Sequence, residues 1–314
     1  MEFKRIEITD RARAVELLAR SGFRGCEYTF GNNFVWRNFY NVEIAFEEDF
    51  YFCRFGKEGD YKFSFPAGRK PSARREPFAG RSPLSDGDVK RAVELLKGYC
   101  GEKGIKLVIS ANKEITERLL ELYPDSKAEY SRDTSDYIYL AEDLAELKGK
   151  KYHAKRNHLN RFYENNWSYE PLTADNMAEC IEMNDRWCEE NLGCDVVSEE
   201  DRSKRDEECI VRCSFKYFNK LEYIGGVLRV DGKVQAFTFG EPSAEDCFVV
   251  HVEKALRDYQ GAYAAINREF VKSLGGRYKY INREDDTGAE NLRKAKLSYY
   301  PVFLEEKSYV EIRG

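Results

Sequence analysis

The feature that most narrows the fold is a run of three apolar strands, Tyr223–Val230, Lys233–Gly240 and Cys247–Val252, set between helical patterns. The first two are joined by Asp231-Gly232, a two-residue hairpin signal. Residues Trp167–Pro171 read as a strand ahead of them. Thr173 is placed to cap a helix running to about Glu190, and Ser198-Glu199-Glu200-Asp201 is an N-terminal signal for a second helix through Phe218. Downstream come helix Tyr259–Leu274, strand Tyr278–Ile281, helix Gly288–Lys296 and strands Val302–Leu304 and Tyr309–Ile312. The order is β-α-α-β-β-β-α-β-α-β, which excludes all-helical and all-strand architectures.

The first half repeats this order more faintly. Helix Asp10–Arg20 and an aromatic stretch at Phe34–Tyr40 precede strands Val42–Phe46, Phe50–Phe55 and Tyr61–Phe65. Helix Ser85–Glu102, strand Lys106–Ser110, helix Lys113–Leu122 and strand Thr134–Leu140 follow. Ala141–Lys150 reads as a linker that continues into a helix. Pro66–Pro83 holds four of the chain's eight prolines and several arginines. It is a long irregular insertion that either covers a cleft or forms a mobile loop.

At 314 residues, the chain suits one large or two ordinary domains, and 42 % hydrophobic residues are enough for sizeable cores. The net charge of −5 argues against general coating of nucleic acid while leaving local patches open. No stretch is apolar for long enough to span a bilayer, and the N-terminus lacks the apolar core of a signal peptide, so a cytoplasmic location is expected. Nine cysteines in such a compartment read as buried thiols rather than a disulfide framework. Cys209 and Cys213, i and i+4 on a helix, read as core packing, and Cys247 reads as buried. Only three histidines are present and no paired CxxC spacing occurs, so no metal site is expected.

The densest chemistry lies in Tyr278–Val302. Five residues that resist burial, Asn282 to Asp286, follow a short strand, and a helix carrying Arg293, Lys294 and Lys296 comes next. Charge gathered at the end of an α/β strand is a common ligand position. The blander reading is a solvated loop with an Arg–Glu pair. Glu284 and Asp285 are candidate bases, Asn282, Arg283 and Asp286 candidate binding groups, and Arg293 and Lys296 share a helical face able to pair with these acids or hold a phosphate. Tyr299 follows, and Tyr300 reads as a packing residue. The strand Val250–Glu253 places His251 and Glu253 on one face by alternation.

Two further segments stand out. Gln260-Gly261-Ala262-Tyr263 opens a helix, where unpaired backbone N–H groups and the helix dipole favour anions. It reads equally as a capped start with Gly261 for close packing. From Lys148 to Tyr163 there is no acid, and Lys151, Lys155 and Arg156 lie in a basic helix over Lys148–Asn165 suited to RNA or lipid phosphate. The alternative is a solvated connector.

The blocks Asp136–Tyr139, Leu147–Asn157, Val250–Lys254, Gly261–Tyr263, Ile266–Phe270 and Tyr278–Val302 are collinear over the second half of the chain. Together they resemble the phosphatidylglycerol lysyltransferase C-terminal-domain family in its soluble bacterial branch. The resemblance implies an α/β (α+β) fold of two tandem GNAT-like (acetyltransferase-type) domains, taken as 1–145 and 146–314. It implies acyl transfer, most concretely of an aminoacyl group from a charged tRNA to an amine or hydroxyl, without a required cofactor. In that fold the strand Val250–Glu253 borders the cleft, so the resemblance implies Glu253 as a second candidate base and Tyr299 as a candidate general acid. A tRNA and an anionic lipid at a membrane surface are the implied partners. A coenzyme A-dependent N-acetyltransferase using an acyl-CoA is the rival enzyme; one glycine and Tyr263 at the helix start fit its phosphate-binding pattern poorly. A non-catalytic ligand-binding module is the rival of another class.

Overall fold

The computed structural model describes residues 1–68, 84–191 and 199–313, the side chains of 191 and 199–208 excepted. Among the described residues, twelve strands form one mixed sheet. The first half runs β1 (Lys4–Arg5), α1 (Arg11–Ser21), α2 (Phe30–Val35), β2 (Glu43–Glu47), β3 (Phe50–Lys57), β4 (Asp60–Gly68), α3 (Asp86–Lys103), β5 (Val108–Asn112), α4 (Lys113–Leu122) and β6 (Lys127–Leu140). α5 (Ala141–Glu146) and α6 (His153–Tyr163) connect to the second half. That half is β7 (Trp167–Pro171), α7 (Met177–Asn191), α8 (Glu199–Leu221), β8 (Ile224–Val230), β9 (Lys233–Ala244), β10 (Cys247–Ala255), α9 (Ala262–Ser273), β11 (Tyr280–Asn282), α10 (Glu290–Leu297) and β12 (Phe303–Glu311).

Local signals account for most boundaries. Ser85 accepts a hydrogen bond from the Asp88 N–H and Asp88 reaches back, a capping box that starts α3. Asn112 accepts from Ile115 N–H to start α4. Asp231 and Gly232 both take positive φ, as the β8–β9 turn requires. Three details differ from expectation. α7 begins at Met177, because Asn176 accepts the Thr173 N–H at 2.9 Å and delays the first turn. The basic helix is shorter: Gly149, at φ +88°, breaks the chain, and a 3₁₀ turn over Lys150–Tyr152 precedes α6. The two closing strands are one, β12, bulged between Glu305 and Lys307. Of the Pro66–Pro83 insertion, residues 69–83 lie outside the described residues, as do Ser198 and Cys194.

The expected α/β architecture of two GNAT-like halves is present, and the sheet order shows how they join. β12 lies antiparallel between β5 and β6, and β6 in turn pairs with β11. The last strand of each half is thus enclosed by strands of the other. Helices cover both faces. One core packs α1, α2, α7 and α8 against the sheet, and a second packs α5, α6 and α9 on the other side of β8–β10. Cys247 is buried, whereas Cys209 is exposed and Cys213 half-buried, so the expected core role fails for Cys209. The apolar stripe of α8 is carried instead by Ile210, Val211, Phe215 and Phe218.

Candidate active site

The site begins where two parallel strands part. β10 and β11 pair through Cys247–Tyr280, Phe248–Ile281 and Val249–Asn282. β10 then continues to Ala255 while the partner chain leaves as the loop 283–289. Two side-chain pairs cross the opening: His251 Nδ1 meets Glu284 Oε1 at 2.7 Å, and Arg283 Nη2 donates to Glu253 Oε1 at 2.7 Å.

The expected common face for His251 and Glu253 does not exist. A bulge between Val250 and Val252 interrupts the alternation. Val250 packs in the α9 core and Val252 in the opposite one. Glu253 therefore faces α9 and also accepts from Asn267 Nδ2 at 2.9 Å. His251 lies 5.4 Å from the Tyr223 ring and bonds Glu241 Oε1 through Nε2 at 3.0 Å. Glu241 in turn accepts the Gly31 N–H of α2 at 2.7 Å. Burial disfavours the imidazolium, but bonds to Glu241 and Glu284 outweigh it and raise His251 to about 9.

The three consecutive acids, expected as one cluster, go to three places. Glu284 bonds His251. Asp286 is fully buried and accepts Arg293 Nε and Nη2, both at 2.9 Å, Tyr137 Oη at 2.5 Å and the Gly288 N–H at 3.0 Å. Burial works against its ionisation, yet these donors win and hold it well below the carboxylate range. Asp285 accepts only the Thr287 N–H, at 3.1 Å, among the described residues, and burial, reinforced by Asp136, pushes it up to about 7. Arg293 also reaches Asp133, at 2.6 Å, so it is a bidentate clamp on the loop. Lys296 points inward and donates to the carbonyls of Arg283, at 2.6 Å, and Asp285. Asn282 is buried, donating to Arg24 O at 2.7 Å and Asp136 Oδ2 at 2.8 Å, and its Oδ1 receives the Glu284 N–H.

Asp136 belongs to a charged seam where the halves meet. Lys307 of β12 is held by Asp136 at 2.7 Å and Glu27 at 2.8 Å, with Cys26 Sγ at 3.6 Å. Cys26, Glu27 and Asp136 could together hold a metal ion by spacing alone. The Lys307 ammonium occupies that position and supplies the positive charge. Burial opposes its charge, but Asp136, Cys26 and Glu27 keep it above the ordinary lysine range. The sequence assigned no site role to Lys307, Asp136, Glu27 or Glu241, although Asp136 opens one of the matching blocks. The available signal was a lone charge inside an apolar strand, as at Asp136 in Ser135–Leu140.

On the other face, a cavity of about 280 Å³ opens at the start of α9. Lys155 and His158 of α6, Tyr259, Gln260, Gly261 and Tyr263 of the turn, and Tyr299 line it. Gly261 is required here: at φ +96°, a Cβ would lie 2.1 Å from His158 O. Gln260 accepts from Arg161 at 2.8 Å, and Tyr263 Oη accepts from Trp187 Nε1 at 3.0 Å. Ala262 is buried as the first helical residue. Lys155 turns inward, its Nζ 3.9 Å above the Tyr299 ring, with Arg283 Cζ 4.8 Å from that ring. Burial, and then the Arg283 charge, lower Lys155 to about 8, and burial raises Tyr299 to about 12. Tyr300, expected to pack, is instead exposed, with an edge contact to Tyr152.

The basic stripe is thereby divided. Lys151 is exposed and pairs with Asp143 at 3.2 Å. Arg156 donates to the carbonyls of Leu147 at 2.5 Å and Gly149 at 2.7 Å, tying down the linker. A larger groove, about 480 Å³, lies in the first half among Arg5, Arg37, Glu43, Lys57, Glu58 and Tyr61. It contains none of the residues singled out above. No described helix is long and apolar enough to cross a membrane.

The family model for phosphatidylglycerol lysyltransferase, C-terminal, matches residues 18–311. A conserved protein of unknown function from Bacteroides thetaiotaomicron is 34 % identical, with all of each chain covered and a TM-score of 0.88. The structure of L-PGS from Bacillus licheniformis aligns over 97 % of this chain and 92 % of its own, with a TM-score of 0.64 at 13 % identity. A domain from Agrobacterium fabrum, described as the C-terminal part of a lysylphosphatidylglycerol synthetase, covers 98 % of this chain and 92 % of its own, with a TM-score of 0.64 at 14 % identity. No curated protein matches the chain. The match over nearly the whole length decides membership: the chain belongs to the phosphatidylglycerol lysyltransferase C-terminal family.

Proposed function

We propose that the protein is an acyltransferase that moves an aminoacyl group from the ester of a charged tRNA to an amine or hydroxyl acceptor. The observation that carries this reading is the cavity at the start of α9. There a helix N-terminus, the Lys155 ammonium and the Tyr299 ring converge beside the Glu253–Arg283 pair. The helix start and Lys155 suit a phosphate of the carrier. The Tyr259, Tyr263 and Tyr299 rings suit a terminal base.

In this reading the acceptor attacks the ester carbonyl directly. The new bond to carbon forms as the carbon–oxygen ester bond breaks, and no enzyme nucleophile intervenes. Glu253, held by Arg283 and Asn267 behind the cavity, takes the acceptor's proton, and the Tyr299 hydroxyl returns one to the leaving oxygen. Arg283 stands behind Tyr299, with its buried Nη1 outside any hydrogen bond among the described residues, and serves the developing negative charge. Asp285, raised to about 7, is a second proton carrier on the opposite side of the loop. Glu284, Asp286, Asn282, Arg293 and Lys296 hold that loop in place.

Charged tRNA is favoured over coenzyme A by Tyr263, whose bulky ring stands at the helix start where a pyrophosphate needs a small residue. The test is thermal melting with aminoacyl-tRNA, uncharged tRNA and coenzyme A, followed by transfer of a radiolabelled aminoacyl group to amines and lipids. A rise in melting temperature with tRNA alone is expected. A rise with coenzyme A alone would replace this reading by the acetyltransferase one.

A further inference from the structure

Most described lysines with a nearby acid are paired: Lys148 with Glu146, Lys151 with Asp143, Lys294 with Glu290, Lys307 with Asp136. Lys155 differs. Among the described residues, neither a carboxylate nor a hydrogen-bond acceptor lies within bonding distance of its ammonium. Its partner is the Tyr299 ring face, 3.9 Å away, and it lines an open cavity.

We propose that Lys155 is a site of covalent acylation, its amine taking the acyl group from an activated ester or thioester that enters the cavity. The Nζ lone pair attacks the carbonyl carbon and an amide C–N bond forms. The carbon–oxygen or carbon–sulfur bond breaks, and the departing oxygen or sulfur takes the proton that Nζ loses. The chemistry is redox-neutral and needs no further reactant. It rests on the cavity and not on the tRNA reading.

A reactive lysine must be neutral and reachable. The amine is lowered to about 8, chiefly by burial. The groups facing it are Arg283 from the loop after β11, which opposes its protonation, and Glu253 from β10, which favours it. Tyr299, Tyr259, Arg257 and, on its own helix, His158 complete the surroundings. The product amide is uncharged and occupies the space where a carrier would sit, so acylation closes the cavity to anions.

The experiment treats the folded full chain with p-nitrophenyl acetate from pH 6.5 to 9.5 and quantifies acetylation at each lysine by peptide mass spectrometry. At pH 8 Lys155 should react about tenfold faster than Lys148 or Lys294, because its neutral fraction is far larger while its lower basicity offsets part of the gain. Its rate should level off above pH 8, where the exposed lysines continue to climb. Tyr299→Phe keeps the ring face and should keep the reactivity. Equal rates at Lys155 and Lys294, a Lys155 rate still climbing at pH 9.5, or loss of reactivity in Tyr299→Phe would each overturn the proposal.

Discussion

At the α9 cavity, Lys155 rests on an aromatic face with no acid within bonding distance among the described residues, while at the seam between the halves Lys307 is gripped by Asp136 at 2.7 Å and Glu27 at 2.8 Å. Lys307 is buried, and Lys155 is half-buried at the cavity. One is lowered to about 8 and the other is held above the usual lysine range. The difference lies in what surrounds them. Burial alone disfavours charge, and only specific carboxylates reverse it. A cation left without an acid is available to a ligand. One enclosed by acids is committed to holding strands together.

The sharpest way to break this contrast is to remove each lysine in turn. Lys307→Met leaves Asp136 and Glu27 facing each other without a cation, and should cost about 3 to 5 kcal/mol in chemical unfolding. Lys155→Met strands no acid and should cost less than about 1 kcal/mol. Equal costs would mean that the two sites do not differ as described.

Next comes His251, at the point where the two regions touch. Its folded value of about 9 lies above the unfolded one near 6.5, so its stabilisation is complete below pH 6.5 and is lost as pH rises to about 9. The loss should reach about 3 kcal/mol across that window. Denaturation at pH 6 and pH 9.5 should show it, and His251→Gln should flatten it. A wild type equally stable at both pH values would remove the charged His251 from the account.

Arg293→Lys gives up a two-pronged grip on Asp286 and should cost about 1 to 2 kcal/mol, visible as a lower unfolding midpoint. It belongs with the committed cations, so any tRNA affinity should remain. The smallest effect concerns the exposed end of the basic segment. Lys151→Ala should reduce the salt dependence of tRNA binding by about one phosphate equivalent, without loss of stability. Arg156→Ala should instead lower the melting temperature, because it unpins the carbonyls of Leu147 and Gly149.

Much of the fold was legible because it is written in short-range signals. α4 was expected at Lys113–Leu122 and β7 at Trp167–Pro171, and both occur there, since capping by Asn112 and the alternation of a short strand are local. Cavity residues from Gln260 to Tyr263 were legible for the same reason: a glycine ahead of an apolar helix marks a turn. The seam was not. Lys307 and Asp136 are 171 residues apart in sequence. They meet only because β12 inserts between β5 and β6.

What the sequence by itself determined is the order of elements, the two-fold repetition of that order and the residues rich enough in charge to merit attention. Only the tertiary structure decided what each charge does. Alternation along the end of β11 and its loop sends Asn282 and Glu284 to one side and Arg283 to the other. The bulge at Val250–Val252 separates His251 from Glu253, and the packing of α6 leaves Lys155 half-buried against Tyr299. Spacing along a chain establishes which residue types are near one another. The dielectric and the partners that set their protonation and reactivity come from segments far away in sequence.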